Sequence, residues 1–257
     1  MKIDLQKQVE PLIRKAGEIL LSFYGKQLTK NYKPQHGFAT EADLASEKFL
    51  IEELGRVLPE ASFFAEESGK SGNNESEYCW VIDPLDGTTN FAHQLPYFCV
   101  SIALTHNDVP IFGMIYQPLE DELFWAQKGK GAYLNGNKIS VSHPNQIEKT
   151  LFVVGFPYRR GPRYDHLLER VKRVRKQTYT FRYFGAAALD QVYVAAGRLD
   201  ASILENLAWW DIAAGMIIIQ EAGGIVTTFA NKQVTPEFMT YVSAGPEMHK
   251  QMLEWLK

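Results

Sequence analysis

Two aspartates directly follow an apolar run and are separated from each other only by a proline and a leucine. Trp80, Val81 and Ile82 lead into Asp83, and Asp86 comes three residues later. Ionised carboxylates in a partly dry site are unfavourable unless cations pair with them, so this spacing indicates a metal site. Oxygen ligands favour Mg²⁺, Mn²⁺ or Ca²⁺ over zinc.

The residues after Asp86 have the composition of a phosphate-binding turn. Gly87 lets the backbone approach a ligand, while Thr88 and Thr89 offer N–H groups and hydroxyls at a predicted helix start. The same residues also suit an Asx-type turn in which a threonine caps the helix. The residue types alone leave both interpretations open.

Two further acidic positions stand beside predicted elements. Glu66 follows a predicted strand, and Asp211 stands at the start of a predicted helix. That helix is apolar on all sides and is therefore expected to be buried, so an acid at its start needs a partner. Asp211 either joins the other carboxylates at a cation or caps the helix.

The elements that must position these residues form two blocks. Apolar residues at helical spacing predict amphipathic helices over about 5–20 and 44–58, followed by strands separated by Gly, Pro, Asn and Asp. These strands are Ser62–Ala65, Cys79–Ile82, Phe98–Leu104, Val109–Tyr116 and Glu122–Ala126, and Asn135-Gly136 predicts a tight hairpin turn after them. The second half alternates strands (151–155, 178–181, 201–204, near 225 and 241) with helices (164–176, 186–196, 210–222 and the C-terminus). We expect a predominantly antiparallel sheet followed by layered helices and sheets.

Composition excludes several classes of protein. The chain has 257 residues, of which 46% are hydrophobic and 22% charged, and this excludes disorder, collagen and coiled coil. A net charge of -3 gives no bulk attraction for nucleic acid or an anionic membrane. The longest apolar stretches fall far short of the roughly 20 residues of a membrane span, and the charged N-terminus is unlike a secretory signal. We therefore expect a cytoplasmic protein.

Three separated motifs occur in an order typical of a known family. They are Glu66-Glu67-Ser68, the run Trp80 to Phe91, and Trp210-Asp211-Ile-Ala-Ala-Gly. Together they resemble the inositol monophosphatase family of Mg²⁺-dependent, lithium-sensitive phosphomonoesterases, and the resemblance extends over nearly the whole chain. It implies one α/β (α+β) domain over 1–257, with halves of about 1–145 and 146–257. The implied fold is an alternating αβαβα layered sandwich of the inositol monophosphatase/fructose-1,6-bisphosphatase type, usually homodimeric.

The resemblance also implies a set of Mg²⁺ ligands. Glu66, Asp83 and the Leu85 carbonyl would hold one ion, and Asp83 would bridge it to a second ion held with Asp86 and Asp211. Glu66 would hold a weaker third ion through water. Two or three Mg²⁺ ions per active site are therefore expected.

Residue roles in catalysis and substrate binding follow from the same resemblance. Thr88, hydrogen-bonded to Asp43, would orient the attacking water beside Glu66, with Lys33 as a basic group nearby, and hydrolysis would be direct. The substrate-binding residues would be Leu85, Asp86, Gly87, Thr88, Gly185, Ala186, Ala187, Glu205 and Asp211. Among these, the Gly87 and Thr88 N–H groups would bind phosphate, and 185–187 would line the pocket beside the leaving alcohol.

One departure from the family pattern concerns the substrate. Family members that act on inositol phosphates usually carry a Glu seven residues before the motif aspartate, and this position is Leu204, with Glu205 one step later. Either the loop is re-registered so that it delivers Glu205, or the preferred alcohol is not inositol. Inositol-1-phosphate is the leading substrate. Fructose-1,6-bisphosphate, NADP(H), histidinol phosphate and 3′-phosphoadenosine phosphate are alternatives for the same chemistry.

A function of another class is also open. The predicted helix over 164–176 carries a basic run that includes Arg170, Arg173 and Arg175, and this run could serve a regulatory or RNA-binding protein on the same fold. The helix keeps Leu167, Leu168, Val171 and Val174 at core spacing, so a solvated basic face is the simpler interpretation. Nucleic acid is therefore not an expected partner, and a small phosphorylated substrate is.

Overall fold

The computed structural model describes residues 4–33, 37–73, 75–156, 161–237 and 240–257. Its helices are α1 (Leu5–Phe23), α2 (Glu41–Val57), α3 (Thr88–Ala92), α4 (Pro162–Arg175), α5 (Ala187–Ala195), α6 (Trp209–Glu221) and α7 (Pro246–Leu256), with a 3₁₀ turn at Ile147–Lys149. The strands are β1 (Asn31–Tyr32), β2 (Phe38–Ala39), β3 (Ser62–Ala65), β4 (Gly69–Ser71), β5 (Tyr78–Asp86), β6 (Cys99–His106), β7 (Val109–Gln117), β8 (Glu122–Gln127), β9 (Gly131–Leu134), β10 (Asn137–Lys138), β11 (Leu151–Gly155), β12 (Thr180–Arg182), β13 (Ala201–Glu205), β14 (Ile225–Thr227) and β15 (Thr240–Ala244). Across these ranges, none of the helices combines the length and apolar character needed to cross a membrane.

The first sheet has eight strands in the order β10-β9-β8-β7-β6-β5-β3-β4. Its pairings are antiparallel except for β3 with β5, which confirms the predominantly antiparallel sheet. Asn135 and Gly136 both have positive φ, 47° and 79°, as a two-residue hairpin turn requires. The sequence did not predict β1, β2 or β4, because strands of two or three residues carry no readable periodicity.

The second sheet has five strands in the order β12-β11-β13-β15-β14. β11 runs parallel to both of its neighbours, and β15 runs antiparallel to β13 and β14. Each parallel connection needs a crossover, and α4 and α5 lie in these connections. The alternation predicted for the second half of the chain is confirmed.

Helices and sheets form alternating layers. α1 and α2 pack on one face of the eight-stranded sheet, α5 and α6 lie between the two sheets, and α4 and α7 cover the far face of the five-stranded sheet. The position of α6 follows from its composition, because a helix that is apolar on all sides must be buried on all sides. The αβαβα fold class expected from the sequence is confirmed.

The basic residues of α4 have contacts within the fold. Arg170 and Arg173 each donate through Nε, at 3.0 Å, to the carbonyl oxygens of Leu256 and Trp255 at the end of α7. Cations at a helix C-terminus satisfy its last carbonyls and its dipole. The opposite face of α4 buries Leu167 among other apolar residues. Part of the basic run therefore stabilises the packing of α4 on α7.

A smaller side chain on the buried face of α4 should lower the stability of the protein far more than the loss of a charge on its exposed face. Leu167→Ala should lower the free energy of unfolding by about 2–5 kcal/mol, because the Leu167 side chain is fully buried. Lys172→Ala removes only a surface pair with Glu169, so its effect should stay within about 0.5 kcal/mol. Urea denaturation measures both. Equal effects of the two substitutions would contradict this account of α4.

Candidate active site

A bulge at the end of β5 places two aspartates on one side of the sheet. Asp83 pairs with Ser101 and Asp86 with Cys99, so β5 advances three residues while β6 advances two. In a regular strand, residues three apart face opposite sides. The extra residue reverses this relation, as β-bulges near functional sites commonly do.

A third aspartate completes a compact group of carboxylates. Oxygens of Asp83, Asp86 and Asp211 all lie within 4.8 Å of one another. Asp211 comes from the first turn of α6, where its Oδ2 also accepts a hydrogen bond from the Ala208 N–H at 2.7 Å. The two roles open for Asp211 in the sequence are therefore compatible, since one carboxylate both caps the helix and faces the other acids.

The pKa values of these three aspartates are raised. Burial and repulsion by neighbouring carboxylates raise the pKa of Asp83 and Asp211 well above the usual aspartate range. Burial raises the pKa of Asp86 to about 7, although the N–H groups of Ala187 and Ala188 donate to it at 3.2 and 2.6 Å. Three crowded oxygen donors of this kind fit a hard divalent cation such as Mg²⁺.

A second acidic position lies on the same cavity. Glu66 lines it together with the aspartates, and the Lys33 ammonium donates to Glu66 at 2.8 Å and to Glu67 at 2.7 Å. Burial raises the pKa of Glu67 to about 7, whereas the two carboxylates outweigh burial and raise the pKa of Lys33. The carboxylate of Glu47 fixes this turn, because it accepts the N–H groups of Glu67 and Ser68 at 2.8 Å each. Glu66 is therefore held at the cavity by a hydrogen-bonded turn and a half-buried ammonium.

A hydroxyl and a buried carboxylate form a pair at the edge of the cavity. Thr88 Oγ1 lies 3.1 Å from Asp43 Oδ1 and 3.0 Å from the Leu85 carbonyl oxygen. The Thr40 N–H and hydroxyl donate to Asp43 Oδ2 at 2.8 and 2.6 Å, which fixes the carboxylate at the start of α2. Burial raises the pKa of Asp43 to about 6. The pair expected from the sequence is thus in hydrogen-bonding contact.

The glycine beside this pair has no room for a side chain. Gly87 has φ of 91°, and a Cβ there would lie 2.9 Å from the Tyr97 carbonyl oxygen and 3.1 Å from the Ala186 Cβ. Gly87 and Thr88 both line the cavity. Residues 185–187 are not among the described residues that line the cavity. Ala187 donates its N–H to Asp86, and Ala186 lies beside Gly87.

The structure does not deliver Glu205 to the cavity. β13 continues through Glu205, which pairs with Thr240, so Glu205 alternates onto the face that carries Ala201 and Ile203. This face packs against α4, where the charge of Arg170 offsets the effect of burial on the Glu205 pKa, which is still raised. Asn206, in the left-handed region at φ of 62°, lines the cavity instead. The re-registered loop is therefore not the arrangement observed.

A sequence profile of the inositol monophosphatase family matches residues 4–256 of this chain. The chain belongs to the inositol monophosphatase family. Membership makes the chain a phosphoric monoester hydrolase and confirms the resemblance drawn from the three motifs.

Individual relatives carry two kinds of name. An inositol-1-monophosphatase from Synechocystis sp. PCC 6803 is 40% identical over 98% of this chain and 90% of its own length. The Nus factor SuhB of Escherichia coli K12 is 36% identical over 93% of this chain and 91% of its own length. The crystal structure of the extragenic suppressor protein suhB from Bartonella henselae superposes with a TM-score of 0.94 at 34% identity, covering 99% of both chains.

Several residues that shape this site were not predicted from the sequence. Glu47 could have been predicted to have a partner, because it shares the buried face of α2 with Leu50 and Leu54 and an acid at such a position needs one. Glu67 belongs to the motif Glu66-Glu67-Ser68 but had no role predicted for it. Asn206 carried no signal, since its place in the cavity depends on the exact end of β13.

The crowded carboxylates predict an unusual pH dependence of stability. In metal-free protein, the free energy of unfolding should fall as pH rises from about 4 to about 7. The pKa of Asp86 rises from 3.8 to about 7 on folding, so the folded state binds more protons in this interval and loses that advantage as they dissociate. Asp86→Asn should reduce the slope, and saturating Mg²⁺ should stabilise wild type most at pH 7 and above.

Chemical denaturation at pH 4, 5, 6 and 7 with a chelator present measures this slope. Glu254→Gln, at an exposed position of α7, is the matched control and should leave the slope unchanged. An unchanged slope in Asp86→Asn would show that Asp86 does not take up a proton on folding in this pH interval.

Proposed function

We propose that this chain is a Mg²⁺-dependent phosphatase that converts inositol-1-phosphate and water to inositol and phosphate. The observation that carries the proposal is the convergence of Asp83, Asp86 and Asp211 on a cavity edged by the Thr88–Asp43 pair. Carboxylates supply cation ligands, and the hydroxyl beside them supplies a site for the attacking water. Both are needed for direct hydrolysis of a phosphomonoester.

The proposed cation ligands are those implied by the family. Glu66, Asp83 and the Leu85 carbonyl would hold one Mg²⁺, Asp83 with Asp86 and Asp211 would hold a second, and Glu66 would hold a third through water. When bound, such cations lower the pKa of a water molecule and stabilise the charge of the leaving alkoxide. The buried aspartates, with their raised pKa values, need this compensation.

Thr88 and Asp43 act on the proton of the attacking water. The Thr88 hydroxyl can direct its own proton to Asp43 Oδ1, which leaves an oxygen lone pair for a water in the cavity. Asp43 Oδ2 accepts two hydrogen bonds from Thr40, which favour the ionised carboxylate, so Oδ1 can accept the Thr88 proton. Thr88 thereby orients the water for attack on phosphorus, and no covalent phosphoenzyme forms.

The substrate would lie between a phosphate side and an alcohol side. The N–H groups of Gly87 and Thr88 would bind phosphate oxygens. Asn206, Leu207 and Trp210 line the cavity on the side of α6, where the leaving alcohol would lie against one amide and two largely apolar side chains. The names of the relatives support inositol as that alcohol.

The proposal has further parts that rest on the family resemblance. They are a single domain, a homodimer, a cytoplasmic location and inhibition by lithium. The same chemistry would act on fructose-1,6-bisphosphate, NADP(H), histidinol phosphate or 3′-phosphoadenosine phosphate, so these four compounds form the comparison panel for substrate identity.

Phosphate release tests the proposal. Wild type should hydrolyse inositol-1-phosphate faster than the four other substrates, and only with Mg²⁺. Asp83→Asn should abolish turnover. Thr88→Val should lower kcat by about 10²–10⁴-fold, the range of general acid–base contributions, whereas Thr88→Ser keeps the hydroxyl and should retain most activity. Another preferred substrate would refute the inositol assignment, and metal-independent turnover would refute the mechanism.

The placement of Glu205 gives a separate prediction about the alcohol side. Glu205→Gln should leave KM for the preferred substrate within about 3-fold, because the carboxylate faces α4. Asn206→Ala should raise KM by about 5–10-fold at nearly unchanged kcat, since it removes one hydrogen bond worth about 1 kcal/mol. Steady-state kinetics at saturating Mg²⁺ compares the two. A larger effect from Glu205→Gln would show that Glu205 reaches the substrate.

One observation favours a second candidate function. The 36%-identical relative from E. coli is named a Nus factor, and the exposed part of the basic face of α4 offers cations to a polyanion such as RNA. Salt-sensitive RNA binding that survives Asp83→Asn would support this function, because neutralised phosphates make affinity depend on salt. Absence of RNA binding at 50 mM salt would refute it.

A further inference from the structure

A buried amide joins the two inner helices to the second sheet. Gln191 of α5 has no exposed surface. Its Nε2 donates to the carbonyl oxygen of Ala187 at 2.9 Å and to that of Asp211 at 2.7 Å. Its Oε1 accepts the hydroxyl of Tyr241, from β15, at 2.9 Å. The donor and acceptor groups of one side chain are thus used by three different elements.

The two carbonyl groups, of Ala187 and Asp211, belong to the helix turns that position two carboxylates of the active site. The N–H groups of Ala187 and Ala188, at the start of α5, donate to Asp86. Asp211 itself stands in the first turn of α6. The Gln191 amide therefore connects the turn that holds Asp86 with the turn that carries Asp211. A displacement of either turn changes the distance between these two carboxylates.

A glycine opposite the amide provides its space. A Cβ at Gly215 would overlap Oε1 of Gln191 and would lie 2.6 Å from its Cδ. Glycine is unfavourable inside a helix, and Gly215 stands within α6 without a positive φ to require it. Room for Gln191 is the physical reason for a glycine at this position.

We propose that Gln191 is a positioning residue for the metal centre. By holding the first turns of α5 and α6 together, it fixes the separation of Asp86 and Asp211, the two carboxylates that would hold one cation between them. This inference rests on the proposed function, since it concerns the cation that the function requires. Outer groups that orient metal ligands commonly change metal affinity by about 10–100-fold when they are removed.

Two substitutions separate positioning from plain stability. Gln191→Leu removes the bonds to Ala187 and Asp211 and deprives the buried Tyr241 hydroxyl of its bond to Gln191, so stability and Mg²⁺ affinity should both fall. Tyr241→Phe is the matched control, because it keeps the bonds from Gln191 to Ala187 and Asp211. The double variant, Gln191→Leu with Tyr241→Phe, no longer has this hydroxyl. Its melting temperature should be higher than that of Gln191→Leu, while its Mg²⁺ affinity should stay about 10-fold weaker than that of wild type.

The experiment is calorimetric titration of metal-free protein with Mg²⁺, with melting temperature and the kcat and KM of the same samples. Tyr241→Phe should bind Mg²⁺ within about 3-fold of wild type, and Gly215→Ala, which displaces the amide, should weaken binding as the double variant does. Gly215→Ala also tests the inference if Gln191→Leu does not fold. Double variant and Gly215→Ala proteins that bind Mg²⁺ like wild type would overturn the positioning role. A wild type that binds no Mg²⁺ would instead overturn the proposed function.

Discussion

Three aspartate side chains with oxygens within 4.8 Å of one another repel each other and lose hydration as the fold buries them. The surrounding structure limits this repulsion without removing it. N–H groups from α5 and from Ala208 donate to Asp86 and Asp211, but the pKa of each remains raised. The fold therefore holds a local excess of negative charge that protons or cations must neutralise. A divalent cation would do so and would leave the carboxylates ionised.

The layered architecture is what brings these charges together. Asp83 and Asp86 come from the end of β5 in the first sheet, and Asp211 comes from the helix layer between the two sheets. Asp43, which fixes Thr88, belongs to α2 on the other face of the first sheet. The site forms only when several layers are packed, so its geometry depends on distant packing contacts as well as on the ligands.

Local patterns in the sequence identified the acids but not all of their surroundings. Asp83, Asp86 and Asp211 were recognisable because charge beside buried apolar runs needs a partner. The sequence did not predict that Asp83 and Asp86 face the same side of the sheet, because this depends on the bulge opposite Ser101 and Cys99. The position of Glu205 depends on strand alternation in the same way, because its pairing with Thr240 directs it towards α4 and away from the cavity lining.

The long-range hydrogen bonds of Gln191 were not predicted from the sequence. Gln191 reads as an ordinary polar residue of a short helix, and its bonds to Asp211 and Tyr241 exist only because α5, α6 and β15 meet in space. Glu47 was predictable only in part. The sequence places it on a buried helix face, but it does not identify its partners, the N–H groups of Glu67 and Ser68.

In the proposed function, the carboxylates of Glu66, Asp83, Asp86 and Asp211 would hold divalent cations. The most direct measurement is anomalous diffraction from crystals soaked in Mn²⁺, which substitutes for Mg²⁺ at oxygen sites and scatters strongly. We expect two anomalous peaks that share Asp83 as a ligand, one beside Asp86 and Asp211 and one beside Glu66. A map without a peak in contact with these carboxylates would contradict this expectation.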